Sequence, residues 1–357
     1  MPAQRTCGAA CRPAPSRDAA AQVRGQGSGR LCGAALACLL ASGAGGAWAD
    51  PAPNAAPPTP LATTDTDQPI WREMHRLLIG ITRAGDRLVA VGNAGAILLS
   101  DDDGVSWRAA KVPTDELLTA ALFPTPKEGW AVGQDEIVLH STDAGESWTM
   151  QHIAATSDQT LFSIAAVNPP HLVTTGAYDL VLDTSDGLAW QESKIPNLDD
   201  DYHLNCALAR GEDVLVTGEA GNAFIRHAGT WTAMKLPYDG SQFACLLGKD
   251  GSFYSFGLRG SAFRMPAAGG QWARIDLDGQ QSVFGATILA DGRMALVGAS
   301  GSVRLLDPAS GKVTTLPPVT EVTLSGVVEA KPGHLVVVGE DGVHLVDESA
   351  AAAGATP

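Results

Sequence analysis

The side chains best placed for chemistry are carboxylates held in a repeated frame, S-x-D-x-G-x-S-W. One copy is Ser100, Asp102, Gly104 and Trp107, and the other is Ser141, Asp143, Gly145 and Trp148. An aspartate between hydroxyls and a glycine could act as a general acid, a metal ligand or a turn cap. The spacing favours the cap. The carboxylate can accept from N–H groups of its own turn, and the glycine two residues on can take a positive φ. The acidic runs Asp101–Asp103 and Asp199–Asp201 lack the D-x-D-x-D-G-x₅-E order of a calcium loop and read as solvated turns. There is no H-x-x-x-H or H-E-x-x-H pair, no G-x-S-x-G elbow and no phosphate loop. The sequence therefore assigns no catalytic residue, no metal and no cofactor. A sialidase or other glycoside hydrolase is the alternative, and it would need a paired acid and nucleophile together with clustered arginines.

The frame belongs to a repeat. Apolar runs end on Gly92, Gly133, Gly176, Gly218, Gly257, Gly298 and Gly339, at spacings of 41, 43, 42, 39, 41 and 41 residues. Each run is followed by a short turn, often G-x-x-G, and a second strand. Five units then reach a tryptophan: Trp107, Trp148, Trp190, Trp231 and Trp272. A period near forty with four short strands predicts propeller blades. The expected fold is all-β, a seven-bladed β-propeller of four-stranded antiparallel blades over residues 70–347. The last unit stops after its third strand. Ile70 to His75, where Trp71 and His75 repeat the Trp-plus-four spacing, is the candidate strand that closes the ring at blade seven.

Residues 1–49 differ in kind. Arginines at 12, 17, 24 and 30 precede the apolar run from Leu31, and Ala47-Trp48-Ala49 forms an A-x-A cleavage pattern. This predicts a signal peptide. Cys38, after Ala35-Leu36-Ala37, is the lipoprotein alternative. Residues 50–69 read as an Ala/Pro-rich flexible segment and 348–357 as a disordered tail. No other run approaches the ~18 apolar residues of a membrane span. Without residues 1–49 the chain keeps 19 basic and 38 acidic side chains, a net charge of −19. Such a chain should repel nucleic acid and anionic lipid. It is expected to be exported and monomeric, without direct membrane insertion. Cys206 and Cys245 each lie twelve residues before their anchoring glycine. Neighbouring inner strands would carry them, either bridged or as two small buried residues.

Taken together, the seven units and the Asp-box motif resemble the photosystem II stability/assembly factor family, within the wider BNR/Asp-box group. The resemblance covers residues 70–347. It implies a non-catalytic scaffold for a membrane protein complex or its unassembled subunit, in a periplasm or a thylakoid lumen. In a non-phototroph the client would be a transport or envelope complex. The family's partner surface is associated with an arginine patch. Here Arg72, Arg76, Arg83, Arg226, Arg259, Arg264 and Arg304 are scattered among the blades, so the patch does not carry over cleanly. The mouth that carries the b–c turns and the d–a loops is the expected binding face. The turns would present Tyr178, Asp179, Glu219, Arg259, Glu340 and Asp341, and the loops Tyr202, His203 and Tyr238.

Overall fold

The computed structural model describes residues 74–152, 159–196, 198, 201–267 and 269–349. They lie within a compact unit, Pro58–Pro357. Alternating β-branched and aliphatic residues form antiparallel meanders in which each strand pairs with the next. Six sheets have four strands, and the seventh has three among the described residues. The first strands are Leu78–Ala84, Leu118–Leu122, Leu161–Ala166, Cys206–Arg210, Gln242–Leu247, Val283–Ile288 and Leu324–Lys331. They touch one another in that order, and the last returns to the first. This is a seven-bladed β-propeller.

The core lies between blades rather than within them. Seven apolar clusters each join two neighbouring blades. One of them closes the ring, packing Leu78, Leu88 and Leu98 of blade one against Val328, Val336 and Val338 of blade seven. Polar links cross the same seam. Ser325 Oγ–H donates to Leu78 O at 2.8 Å, and Arg83 donates to the carbonyls of Glu329 and Ala330.

The expected closing strand is only partly in view. Residues 70–73 lie outside the described residues. Met74 is helical and His75 lies in a turn, so neither ends a strand. The reason is positional. Met74 O lies where a Cβ on Gly342 would stand, just as Thr114 O does at Gly95 and Thr320 O at Gly301. Met74 thus takes the place of a residue in the loop that leads into a first strand.

The tryptophans of the repeat are wedges between blades. Trp107, Trp148, Trp190 and Trp272 are each buried. Cys206 and Cys245 are bonded, S–S 2.00 Å with Cα atoms 6.0 Å apart, and tie the first strands of blades four and five.

Candidate functional site

At the two Asp-box turns the carboxylates are occupied by their own hairpins. Asp102 Oδ1 accepts from Ser106 N at 2.8 Å, and Oδ2 accepts from Ser106 Oγ–H at 2.6 Å. Asp143 repeats this with Ser147 at 3.0 and 2.6 Å. Trp107 and Trp148 donate their indole N–H to Gly104 O and Gly145 O at 2.9 and 3.0 Å. Burial pulls the pKa of Asp102 and Asp143 up. Hydrogen bonds from Ser106 or Ser147, and from Ser100 or Ser141, more than offset it, and both carboxyls sit below their usual range. These groups are committed to structure. Among the described residues, no group of three or more His, Cys, Asp or Glu is placed to hold a metal.

The opposite mouth carries the b–c turns. In blades four, five and six the third residue after the anchoring glycine is itself a glycine: Gly221, Gly260 and Gly301, at φ +68°, +65° and +64°. A Cβ there would come within 1.9, 2.4 and 1.8 Å of the carbonyl oxygens of Tyr238, Gly279 and Thr320. The following loop therefore lies flat on the turn. Blades two and three break the pattern. They place Glu136 and Asp179 at φ +55° and +63°, where L-residues are strained. The loops after these two blades are longer in sequence. From tryptophan to the residue packed against the next anchoring glycine the step is 13 and 14 residues at Trp148–Leu161 and Trp190–Leu204, against 11 at Trp231–Gln242. The loops stand off far enough to be bonded instead. Glu136 N donates to Gln159 O at 2.8 Å, and Asp179 N donates to Tyr202 O at 2.9 Å. Asp179 Oδ1 accepts in return from Tyr202 N at 3.0 Å.

That departure assembles an aromatic and acidic surface. Tyr178, at φ +53°, leaves 47% of its area exposed. Its ring lies 5.1 Å from His203, and His203 stacks on Phe162 at 5.6 Å. His203 Nδ1 is 3.0 Å from Glu219 Oε2, which also accepts from His203 N. Nearby on the same mouth, burial and then the carboxylates of Asp135 and Asp115 push Glu116 above its usual range.

Five of the sequence-nominated residues, Tyr178, Asp179, Tyr202, His203 and Glu219, thus come together over blades three and four. Tyr238 and Arg259 do not join that contact chain. They line a separate cavity of about 530 Å³ with Ser261, Arg274, Asp276, Gly279 and Gln280. Glu340 and Asp341 stand on blade seven, where Asp341 accepts from Thr320 Oγ1–H at 2.8 Å and lies 2.7 Å from His344 Nε2. Sequence reasoning did not nominate Phe162 or Arg274. Phe162 falls in an ordinary apolar strand pattern. Arg274 lies two residues beyond Trp272, with no motif around it.

The scattered arginines divide by partner. Arg226 pairs with Asp183 at 2.8 Å and Arg264 with Asp250 at 2.7 Å, while Arg83 binds carbonyls. Arg72 lies outside the described residues. Arg259 and Arg304 have no carboxylate within ion-pair distance among the described residues.

A family model described as "Photosynthesis system II assembly factor YCF48" matches residues 77–155, which span blades one and two. No curated protein is similar in sequence. Among solved structures, one titled "YCF48 bound to D1 peptide" is 15% identical, with a TM-score of 0.62 over 76% of this chain and 93% of the other. YCF48 from Cyanidioschyzon merolae gives 15% identity and a TM-score of 0.62 over 76% and 95%. Virginiamycin B lyase from Staphylococcus aureus gives 14% and 0.66 over 78% and 94%. At such identities these structures share the fold alone. The chain is a propeller similar to the photosystem II assembly-factor family.

Proposed function

We propose that this protein is an exported, non-catalytic scaffold that holds an unassembled membrane-protein subunit or complex and assists its assembly or stability. The observation that carries this reading is the pair of irregular b–c turns. Blades two and three keep non-glycine residues at positive φ, at a cost of ~1–3 kcal/mol each, where their neighbours use glycine. At blade three the turn carries Tyr178 beside His203, which pairs with Glu219. Exposed aromatic and charged residues of this kind favour protein recognition.

The similarity to the assembly-factor family supports the kind of partner, since YCF48 has a solved complex with a D1 peptide. In a phototroph the client would be photosystem II. Elsewhere it would be a transport or envelope complex. The basic, apolar, A-x-A-terminated leader supports export to a periplasm or thylakoid lumen. The 530 Å³ cavity is lined by a single carboxylate, Asp276, whereas glycoside hydrolysis uses a facing pair. That supports binding over turnover.

The test is affinity capture from solubilised membranes, with the wild type and a Tyr178→Ala, His203→Ala double variant. The wild type should recover an integral-membrane client, and the variant should lose it at an unchanged melting temperature. Equal recovery by both, recovery of soluble proteins alone, or turnover of a sialoside by the purified protein would refute the reading.

A further inference from the structure

Carboxylates outnumber Lys and Arg by 39 to 24 in this chain, so an arginine without an acidic partner is unexpected. Three of them gather at the mouth between blades five and six. Arg259, on the turn Leu258–Gly260, and Arg274, on the outer strand Ala273–Arg274, are exposed and line the 530 Å³ cavity. Among the described residues neither guanidinium meets a carboxylate. Behind them lies Arg304, on strand Val303–Leu306 of blade six, only 2% exposed.

Arg304 is held by neutral groups. It donates to Gln281 O at 3.3 Å and to the Gln281 side chain, and its Nε has no hydrogen-bond partner. Burial lowers its pKa, and Asp278 only partly counters this. A buried charge left this way is costly unless something else compensates it. The guanidinium also faces the cavity wall. A Cβ on Gly279, a lining residue, would stand 2.8 Å from Arg304 Nη2.

The other lining groups suit hydroxyls. Asp276 Oδ1 accepts from Asp278 N at 3.0 Å, which leaves Oδ2 to accept from a ligand. Gln280 offers a donor and an acceptor, and Tyr238 supplies a half-buried ring, while Ser261 Oγ is buried and accepts from Gln242 Nε2 at 2.9 Å. The volume is that of a small-molecule site and well above what a lone phosphate would fill.

We propose that this cavity binds an acidic sugar: a hydroxyl-rich small molecule whose carboxylate or phosphate is held by Arg259 and Arg274, with Arg304 adding positive potential from behind. Forked guanidinium groups match both oxyanions. The site is separate from the client surface over blades three and four and does not depend on it.

The test is calorimetric titration of the full chain with glucuronate, glucose 6-phosphate, glucose and inorganic phosphate at low salt. Saturable binding of glucuronate or glucose 6-phosphate is expected, and the tighter of the two identifies the oxyanion. Glucose and inorganic phosphate should bind at least about tenfold more weakly, since each lacks one half of the recognition. Arg259→Ala with Arg274→Ala should weaken the acidic sugar by about tenfold or more. If that variant does not fold, Arg259→Lys with Arg274→Lys keeps the charge, loses the fork and should still bind more weakly. Glucose or inorganic phosphate binding as tightly as the acidic sugars, no saturable binding of either acidic sugar, or undiminished binding by the folded variant would each overturn the proposal.

Discussion

Blades two and three differ from blades four, five and six at one position of the same turn. In the later blades Gly221, Gly260 and Gly301 let the next loop lie directly on the hairpin. In the earlier pair Glu136 and Asp179 hold that position under strain, and the loop is lifted onto backbone hydrogen bonds. At the third turn position, then, glycine serves loop packing, and at blade three its replacement leaves room for the Tyr202 loop to bond beside Tyr178. Strain persists where surrounding structure over-determines it, and such places are where proteins tend to keep their working surfaces.

Exchanging the two kinds of turn should have the largest effect. Gly301→Ala sets a Cβ 1.8 Å from Thr320 O and should lose about 3 kcal/mol or more in denaturant unfolding. Asp179→Gly relieves strain while losing one hydrogen bond to Tyr202, so it should shift stability by less than about 1 kcal/mol. Similar losses in both variants would erase the distinction. Next in size is the covalent tie. Cys206→Ser with Cys245→Ser opens a bridge of sequence separation 39 and should cost about 2–4 kcal/mol, read as a lower denaturant midpoint. An unchanged midpoint would mean that blade packing alone sets the blade four–five seam.

How far these features could be read from the sequence follows from their periods. The blades were legible because each unit repeats an apolar strand and an anchoring glycine, five of them add a tryptophan, and seven copies average out local noise. The contacts within the mouth were less so. Tyr178, His203 and Glu219 could be placed at the correct rim from register alone. Their meeting depends on loop lengths after Trp148 and Trp190, which no local pattern encodes. Arg274 and Arg304 have no periodic signature at all. Their relation exists only once blade six is set beside blade five.

A smaller effect concerns the other mouth. Asp102 and Asp143 have folded pKa values below their unfolded ones. Their contribution is complete above the ordinary carboxylate pKa near ~4 and is lost as pH falls through the folded values. Melting temperature should therefore fall more steeply below pH ~4 in the wild type than in Asp102→Asn with Asp143→Asn. Parallel acid profiles would remove the carboxylates from the account. Smallest of all, Arg108→Ala breaks exposed pairs with Asp101 and Glu146 and should change unfolding free energy by no more than about 1 kcal/mol.

The claim that the b–c mouth over blades three and four holds the client is tested most directly by site-specific photocrosslinking. A photoreactive residue replaces Tyr178 on that mouth or Val105, 48% exposed in the Asp-box turn on the opposite one. Irradiation in intact cells should link position 178 to an integral-membrane protein and leave position 105 unlinked to it. Crosslinks to that protein from position 105 alone, or equally from both, would contradict the account.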